Sequence, residues 1–288
     1  MLTRRLIALL AALALGASPA LADPALWKVS DADSSVWLFG SVHLLPPGLD
    51  WRTGAFDKIV SKVDTVYFET DMSIEAQIAL APLSYELGFI RDGRLLSERI
   101  GPELTDRLRT AAERYNIPMP LLLTMQPWMA ATTLSVSVLT EKGYDPTLGV
   151  ETLLSGEVDK ARQGFLETPE EQLGFLGDGD EAEQIVMLQA TLDTLEVMQE
   201  DIDVMVDAWM AGDPERLGEV FMAQMGDYDD GMVERLIDTR NHNWVEQIAA
   251  MLERNERALL VVGAAHLVGD VSVVRLLEER GFSSERVQ

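Results

Sequence analysis

The stretch Ala258-Leu259-Leu260-Val261-Val262-Gly263-Ala264-Ala265-His266 decides the fold. Its apolar run ends on a glycine, the pattern of a buried strand that stops at a sharp turn and delivers the histidine from the strand's carboxyl end into a loop. The same arrangement occurs near the start of the chain, where Ser35-Val36-Trp37-Leu38-Phe39 precedes Gly40-Ser41-Val42-His43. Two of the three histidines therefore close the same Gly-x-x-His phrase, with 222 residues between them. In open α/β sheets ligands bind where strands end, so the two phrases predict two sides of one site.

Working outward, Leu26 to Phe39 reads as a hairpin turning at Asp31-Ala32-Asp33-Ser34, and Gly54 to Lys62 as a short helix. Thr65-Val66-Tyr67-Phe68 is a third strand that ends on Glu69-Thr70-Asp71, after which Ser73 caps a helix opening with Ile74-Glu75-Ala76. From there to about residue 253 the spacing predicts helices, begun at Pro102, Pro120, Pro127, Pro146, Pro169 and Pro214, with one buried strand within Gly164 to Thr168. The end of the chain returns to strand, helix (about Val268 to Arg280) and a terminal strand near Glu285 to Gln288. The expected fold is α/β: a central mixed sheet built from strands at both chain ends, flanked by helices, with a mostly helical insertion at about 73–253.

Arg4 and Arg5, the apolar run Leu6 to Leu15 and Ala20-Leu21-Ala22 have the three parts of a secretory signal peptide over residues 1–22, with an apolar region too short to span a bilayer. One domain over 23–288 is expected, soluble and periplasmic after export. With no cysteine there are no disulfides, thiolate ligands or cysteine nucleophile. The net charge of −25 becomes −27 once the leader's two arginines are gone, a surface that repels nucleic acid and anionic lipid and attracts cations.

His43 and His266 with the strand-end Glu69 make a two-histidine, one-carboxylate set able to hold a divalent cation and leave positions open for water and substrate. Asp71 is placed to orient a ligand from behind. The plainer reading is that each histidine satisfies backbone groups at a strand end; two in identical settings favour a shared site. In Asp238-Thr239-Arg240-Asn241-His242-Asn243-Trp244, Arg240 and Asn241 could bind an anionic group or brace a carboxylate, and Arg240 could equally be a surface ion pair; His242 reads as solvated. Gly177-Asp178-Gly179-Asp180-Glu181-Ala182 spells a dinucleotide loop without a strand before it and reads as solvated, and Asp227-Tyr228-Asp229-Asp230-Gly231 misses the calcium-loop spacing. There is no Gly-x-Ser-x-Gly elbow and no His-Glu-x-x-His helix.

Taken in order, Leu38-Phe39-Gly40-Ser41-Val42-His43-Leu44-Leu45, Val66-Tyr67-Phe68-Glu69-Thr70-Asp71, Gln126-Pro127-Trp128, Leu148-Gly149-Val150-Glu151, Leu166-Glu167-Thr168 with Glu171-Gln172, Arg240-Asn241 and Gly263-Ala264-Ala265-His266-Leu267 resemble the TraB/GumN group, related to the animal Tiki metalloproteases. The resemblance runs through nearly the whole mature chain. It implies a site of two Gly-x-x-His phrases completed by a glutamate, a fold shared with erythromycin-esterase-like and haem-binding ChaN-like proteins, and a divalent cation such as Mn or Co, with Zn also to be tested. It also sets Glu167, Arg240 and Asn241 near the site.

The expected function is a periplasmic metal-dependent hydrolase acting on a peptide or small-molecule substrate. His43, Glu69 and His266 would hold the ion, Glu167 would be the general base, and Arg240 with Asn241 would stabilise an oxyanion. The alternatives are a metal-free esterase-like hydrolase with a histidine base and a non-catalytic haem- or ligand-binding protein.

Overall fold

The computed structural model describes residues 23–225 and 230–288; the expected leader and most of the Asp227–Gly231 segment lie outside them. The strands are β1 (Leu26–Ser30), β2 (Ser35–Ser41), β3 (Thr65–Phe68), β4 (Gln163–Phe165), β5 (Ala258–Gly263) and β6 (Ser283–Arg286). They form one sheet in the order β4-β3-β5-β2-β1-β6. The expected hairpin is present, with Trp27 opposite Leu38, and β6 pairs antiparallel to β1. Between β2, β5, β3 and β4 all pairing is parallel, so these four strands end at one edge. The α/β fold with a mixed sheet from both chain ends is therefore as the sequence predicts.

Alternation along the strands builds two cores. Phe39, Val66, Phe68, Leu259 and Val261 face one side, against Phe56 of helix α1 (Gly54–Val60), and Val36, Leu38, Leu260 and Val262 face the other. Both faces of β5 are fully buried, which is why its sequence is uniformly apolar instead of alternating.

Between β3 and β5 the chain is mostly helical: α2 (Ile74–Gly88), α3 (Leu96–Arg114), α4 (Met119–Leu122), α5 (Pro127–Glu141), α6 (Val150–Glu157), α7 (Pro169–Gly177), α8 (Glu181–Thr194), α9 (Met198–Met210), α10 (Pro214–Met225), α11 (Asp230–Val233) and α12 (Thr239–Glu253). Helix α13 (Val273–Glu279) follows β5. Pro127, Pro169 and Pro214 are first helical residues, as their locked φ and missing N–H favour, and Pro102 follows a kink at Gly101 inside α3. Leu96, Leu108, Trp128, Leu134 and Leu188 give this helical part a core of its own. The Gly177–Ala182 loop carries Asp180, which caps α8.

Three details differ from the sequence reading. The inserted strand starts one residue earlier than expected, and as the outer strand of the sheet it leaves Phe165 exposed. The helix expected from Val268 starts at Val273, because residues Ala264–Leu267 form a separate 3-10 turn. The terminal strand is Ser283–Arg286, two residues earlier than predicted, since its register is set by β1. No helix among the described residues is long and apolar enough to cross a membrane.

Candidate functional site

Four parallel strands bring their carboxyl-end residues together. His43 follows β2, Glu69 follows β3, Glu167 follows β4 and His266 follows β5. Helix α12 lies across this edge and buries Arg240, Asn241, Trp244, Val245, Ile248, Met251 and Leu252 along one stripe. Arg240 and Asn241 thus occupy core positions of an amphipathic helix, which a π-helical turn at Glu234–Asp238 precedes.

The arginine is the hub. Its Nε donates to Glu167 Oε1 at 2.8 Å and one terminal nitrogen donates to Glu167 Oε2 at 2.9 Å, a two-pronged ion pair. That same nitrogen donates to Glu69 Oε2 at 2.5 Å, and the other faces His266 Nε2 at 3.1 Å. Trp244 Nε1 donates to Glu167 Oε1 at 2.9 Å, and the guanidinium lies over the Trp244 and Phe175 rings. Glu69 also accepts from the Gly263 backbone N–H at 2.7 Å and from Gln172 Nε2 at 3.0 Å. Burial, the largest single influence, would raise the Glu69 pKa, but the Arg240 guanidinium, the two histidines and the Gly263 N–H together outweigh it and hold the carboxyl down to about 2. Glu167 moves the other way, raised by burial.

Each imidazole is anchored through Nδ1. Asn241 donates its amide to the Val271 carbonyl at 2.7 Å, so its Oδ1 accepts from His266 Nδ1 at 2.6 Å, and the lone pair of His266 is left on Nε2. Burial pushes the His266 pKa down to about 3, so the ring is neutral. His43 Nδ1 lies 2.8 Å from Glu151 Oε1, and the Ser41 hydroxyl donates to the same oxygen. Glu151 lifts the His43 pKa to about 9, although that ring is 58% exposed and its carboxylate partner only 6%.

Sequence reasoning places Glu151 only within the Leu148–Glu151 motif and misses its role behind His43. The available signal was its place on the buried stripe of α6 beside Val150 and Leu154. Asp71 does not brace an imidazole: its carboxylate accepts from the Ser73 backbone at the start of α2. The bracing falls to Glu151 and Asn241. His242 is exposed, with Nδ1 against the Asp238 carbonyl, as expected of a solvated residue.

Whether these residues suit a cation can be judged from Gly263. A Cβ built there would lie 3.2 Å from Glu69 Oε1, 3.5 Å from His266 Cδ2 and 3.8 Å from His43 Nε2, so the three side chains border one space that a missing side chain keeps open. Both Nδ1 atoms are held from behind, the support that metal-bound imidazoles have; Nε2 of neutral His266 carries a lone pair, and Nε2 of His43 would have to lose its proton to become a ligand. The guanidinium now sits on Glu69 and His266, and among the described residues no group of three or more ligands stands ready-placed around one point. The donor set fits a divalent cation that displaces one Arg240 hydrogen bond from each of these residues.

The cluster opens on a cleft of about 980 Å³, with His43, Glu69, Glu151 and Arg240 at its base and Phe175 and Leu236 among its apolar walls. The chain matches no curated protein and no solved structure. Residues 25–286 match the model of the TraB/PrgY/gumN family, and the chain belongs to that family.

Proposed function

We propose that this protein is a metal-dependent hydrolase of the periplasm, exported by residues 1–22 and related to the Tiki-type metalloproteases, with a polypeptide as substrate. The observation that carries the reading is the convergence of two Nδ1-anchored imidazoles and Glu69 on the space beside Gly263. His43, Glu69 and His266 would hold the ion, for which Mn, Co and Zn are the candidates. A divalent cation so held lowers the pKa of a water and polarises a carbonyl, the two needs of hydrolysis at neutral pH.

The chain's own residues supply the rest. Arg240 is a fixed cation at the base of the cleft, suited to an oxyanion. In this reading Glu167, first expected as the base, holds the guanidinium, since its oxygens already accept from Arg240 and Trp244. Asn241, first expected beside the oxyanion, acts by orienting His266. Glu151 does the same for His43.

A metal-free hydrolase with His43 as base is the second reading, favoured by the guanidinium lying on Glu69 and His266; since Glu151 lifts the His43 pKa to about 9, that base would act only once the ring gives up its second proton at high pH. The test is hydrolysis of a fluorogenic peptide library by dialysed protein with and without Mn, Co or Zn. The metal reading predicts activity that a chelator abolishes, the metal restores, and His266→Ala lowers at least about a hundredfold. Activity unchanged by chelation would transfer the chemistry to His43 alone. With neither, a coloured protein on adding haem would mark a ligand-binding role.

A further inference from the structure

We propose that helix α2 is the contact surface for a second copy of this chain, the two helices crossing antiparallel about a two-fold axis so that each copy borders the mouth of the other's cleft. Such a pair forms whatever the cleft binds. The composition of α2, its charges and its shape all point to a partner of its own kind.

α2 is apolar on two opposite sides, yet Gly88 is the one buried residue of this helix. Leu80, Leu83 and Leu87 are half-buried along the stripe that carries Leu87 against Gly177 of α7. On the opposite side Ile74, Ile78, Ala81 and Tyr85 follow at four- and three-residue spacing, and Ile74, Ile78 and Tyr85 expose 73%, 69% and 60% of their surface. A helix apolar on both sides belongs in an interior, and a single chain in water rarely keeps so continuous an apolar stripe uncovered.

The charges argue against other kinds of cover. Glu75 and Glu86 are the only charged residues of α2, and both are already paired within the chain, with Lys160 at 3.5 Å and with Arg91 at 2.7 Å. A helix that lies in a membrane surface carries lysine or arginine on its polar face, and α2 has neither, in a chain whose net charge of −25 repels anionic lipid. A basic partner drawn by that charge finds no carboxylate along the stripe. A second copy brings an equally uncharged apolar face and, unlike a small ligand, needs no concave pocket.

The shape is self-complementary. About a two-fold axis near the middle of the helix, Ile78 of one copy meets Ala81 of the other and Ile74 meets Tyr85, so a bulky residue packs on a small one at the crossing and bulky ones fill the gap where crossed helices part. With the exposed Ala79 and Pro82, the stripe offers roughly 600 Å² per copy, about 1,200 Å² for the pair, the lower end of specific interfaces and enough for a reversible dimer. Ile74 also lines the cleft, so Tyr85 of the second copy stands at its mouth.

The experiment is sedimentation equilibrium of the mature protein from about 1 to about 300 μM, the range in which a dimer of this area dissociates. The mass should rise from one chain to two. Ile78→Glu, which sets two carboxylates beside the axis, should weaken the dimer at least about tenfold with the melting temperature unchanged, because Ile78 is exposed in the single chain. The chain has no cysteine, so single introduced ones report the geometry. On mild oxidation Ala81→Cys should link to itself, Ile74→Cys should not, and Ile74→Cys mixed with Tyr85→Cys should link. The mass of one chain throughout the range, a dimer indifferent to Ile78→Glu, or self-linking of Ile74→Cys would overturn the proposal. So would a monomer that floats with phosphatidylcholine vesicles and is released by Ile78→Glu, which would assign the face to lipid.

Discussion

The two Gly-x-x-His phrases share spelling and strand, and almost nothing else. They follow adjacent parallel strands, yet Gly263 pairs with Ser41 instead of Gly40, so the copies are offset by one residue. After Gly263 the chain coils into a 3-10 turn and drives His266 under α12, where it is neutral and held by an amide. After Gly40 the chain stays extended, leaving His43 at the cleft, cationic and held by a carboxylate. The glycines differ too: a Cβ on Gly40 would meet the Ala264 backbone at 3.0 Å, so the first phrase makes room for the turn of the second. A repeated motif thus places two side chains, while residues far along the chain decide what each can do.

The buried side should break hardest. Arg240→Ala leaves Glu69 and Glu167 as buried carboxylates without their cation, and the expected loss is about 3–5 kcal/mol in urea unfolding. A loss below about 1 kcal/mol would mean that this network does not hold the His266 half in place.

On the His43 side the sensitive point is backbone. A Cβ on Gly149 would fall 2.1 Å from the His43 carbonyl oxygen, and Val150 N donates to the Val42 carbonyl, so Gly149→Ala forces the segment behind His43 away. About 3 kcal/mol of destabilisation is expected, with the His43 ring resonances moving and those of His266 unchanged. Asn241→Ala is the mirror experiment, expected at about 2 kcal/mol from the unpaired Val271 carbonyl and His266 Nδ1–H. If both variants disturb both rings alike, the halves are not separable in the way described.

The smallest effect sharpens the contrast. In metal-free protein the folded pKa of His43, about 9, lies above its ordinary 6.5, so the stabilisation from Glu151 is complete below about pH 6.5 and is lost as pH rises through about 9. Glu151→Gln should bring the His43 titration back toward 6.5 by NMR and remove that pH dependence, at a cost under about 1 kcal/mol for so exposed a ring. An unshifted titration would remove Glu151 from the site.

What the sequence allowed to be read follows from the range of each signal. The strand-end positions of His43, Glu69 and His266 were legible because an apolar run followed by glycine is a local pattern. Arg240 was ambiguous between surface and site: its spacing from Trp244 and Ile248 puts it on the buried stripe of α12, but the carboxylates that make a buried guanidinium tolerable, Glu69 and Glu167, come from distant strands. Glu151 escaped because its partner lies 108 residues earlier and no short-range pattern marks a carboxylate that faces a histidine across the fold. β4 was visible as a strand, but only the sheet order shows that it is the outer one.

With three histidines in the chain, ring nitrogens can be followed one by one. The most direct test of a shared site is a ¹⁵N NMR titration of the histidine side chains of the mature protein with Zn²⁺. A single site built from both phrases predicts that the Nε2 signals of His43 and His266 shift together and saturate at one equivalent, while His242 stays unchanged. Shifts of His43 and His266 at different metal concentrations, or a shift in neither, would contradict it.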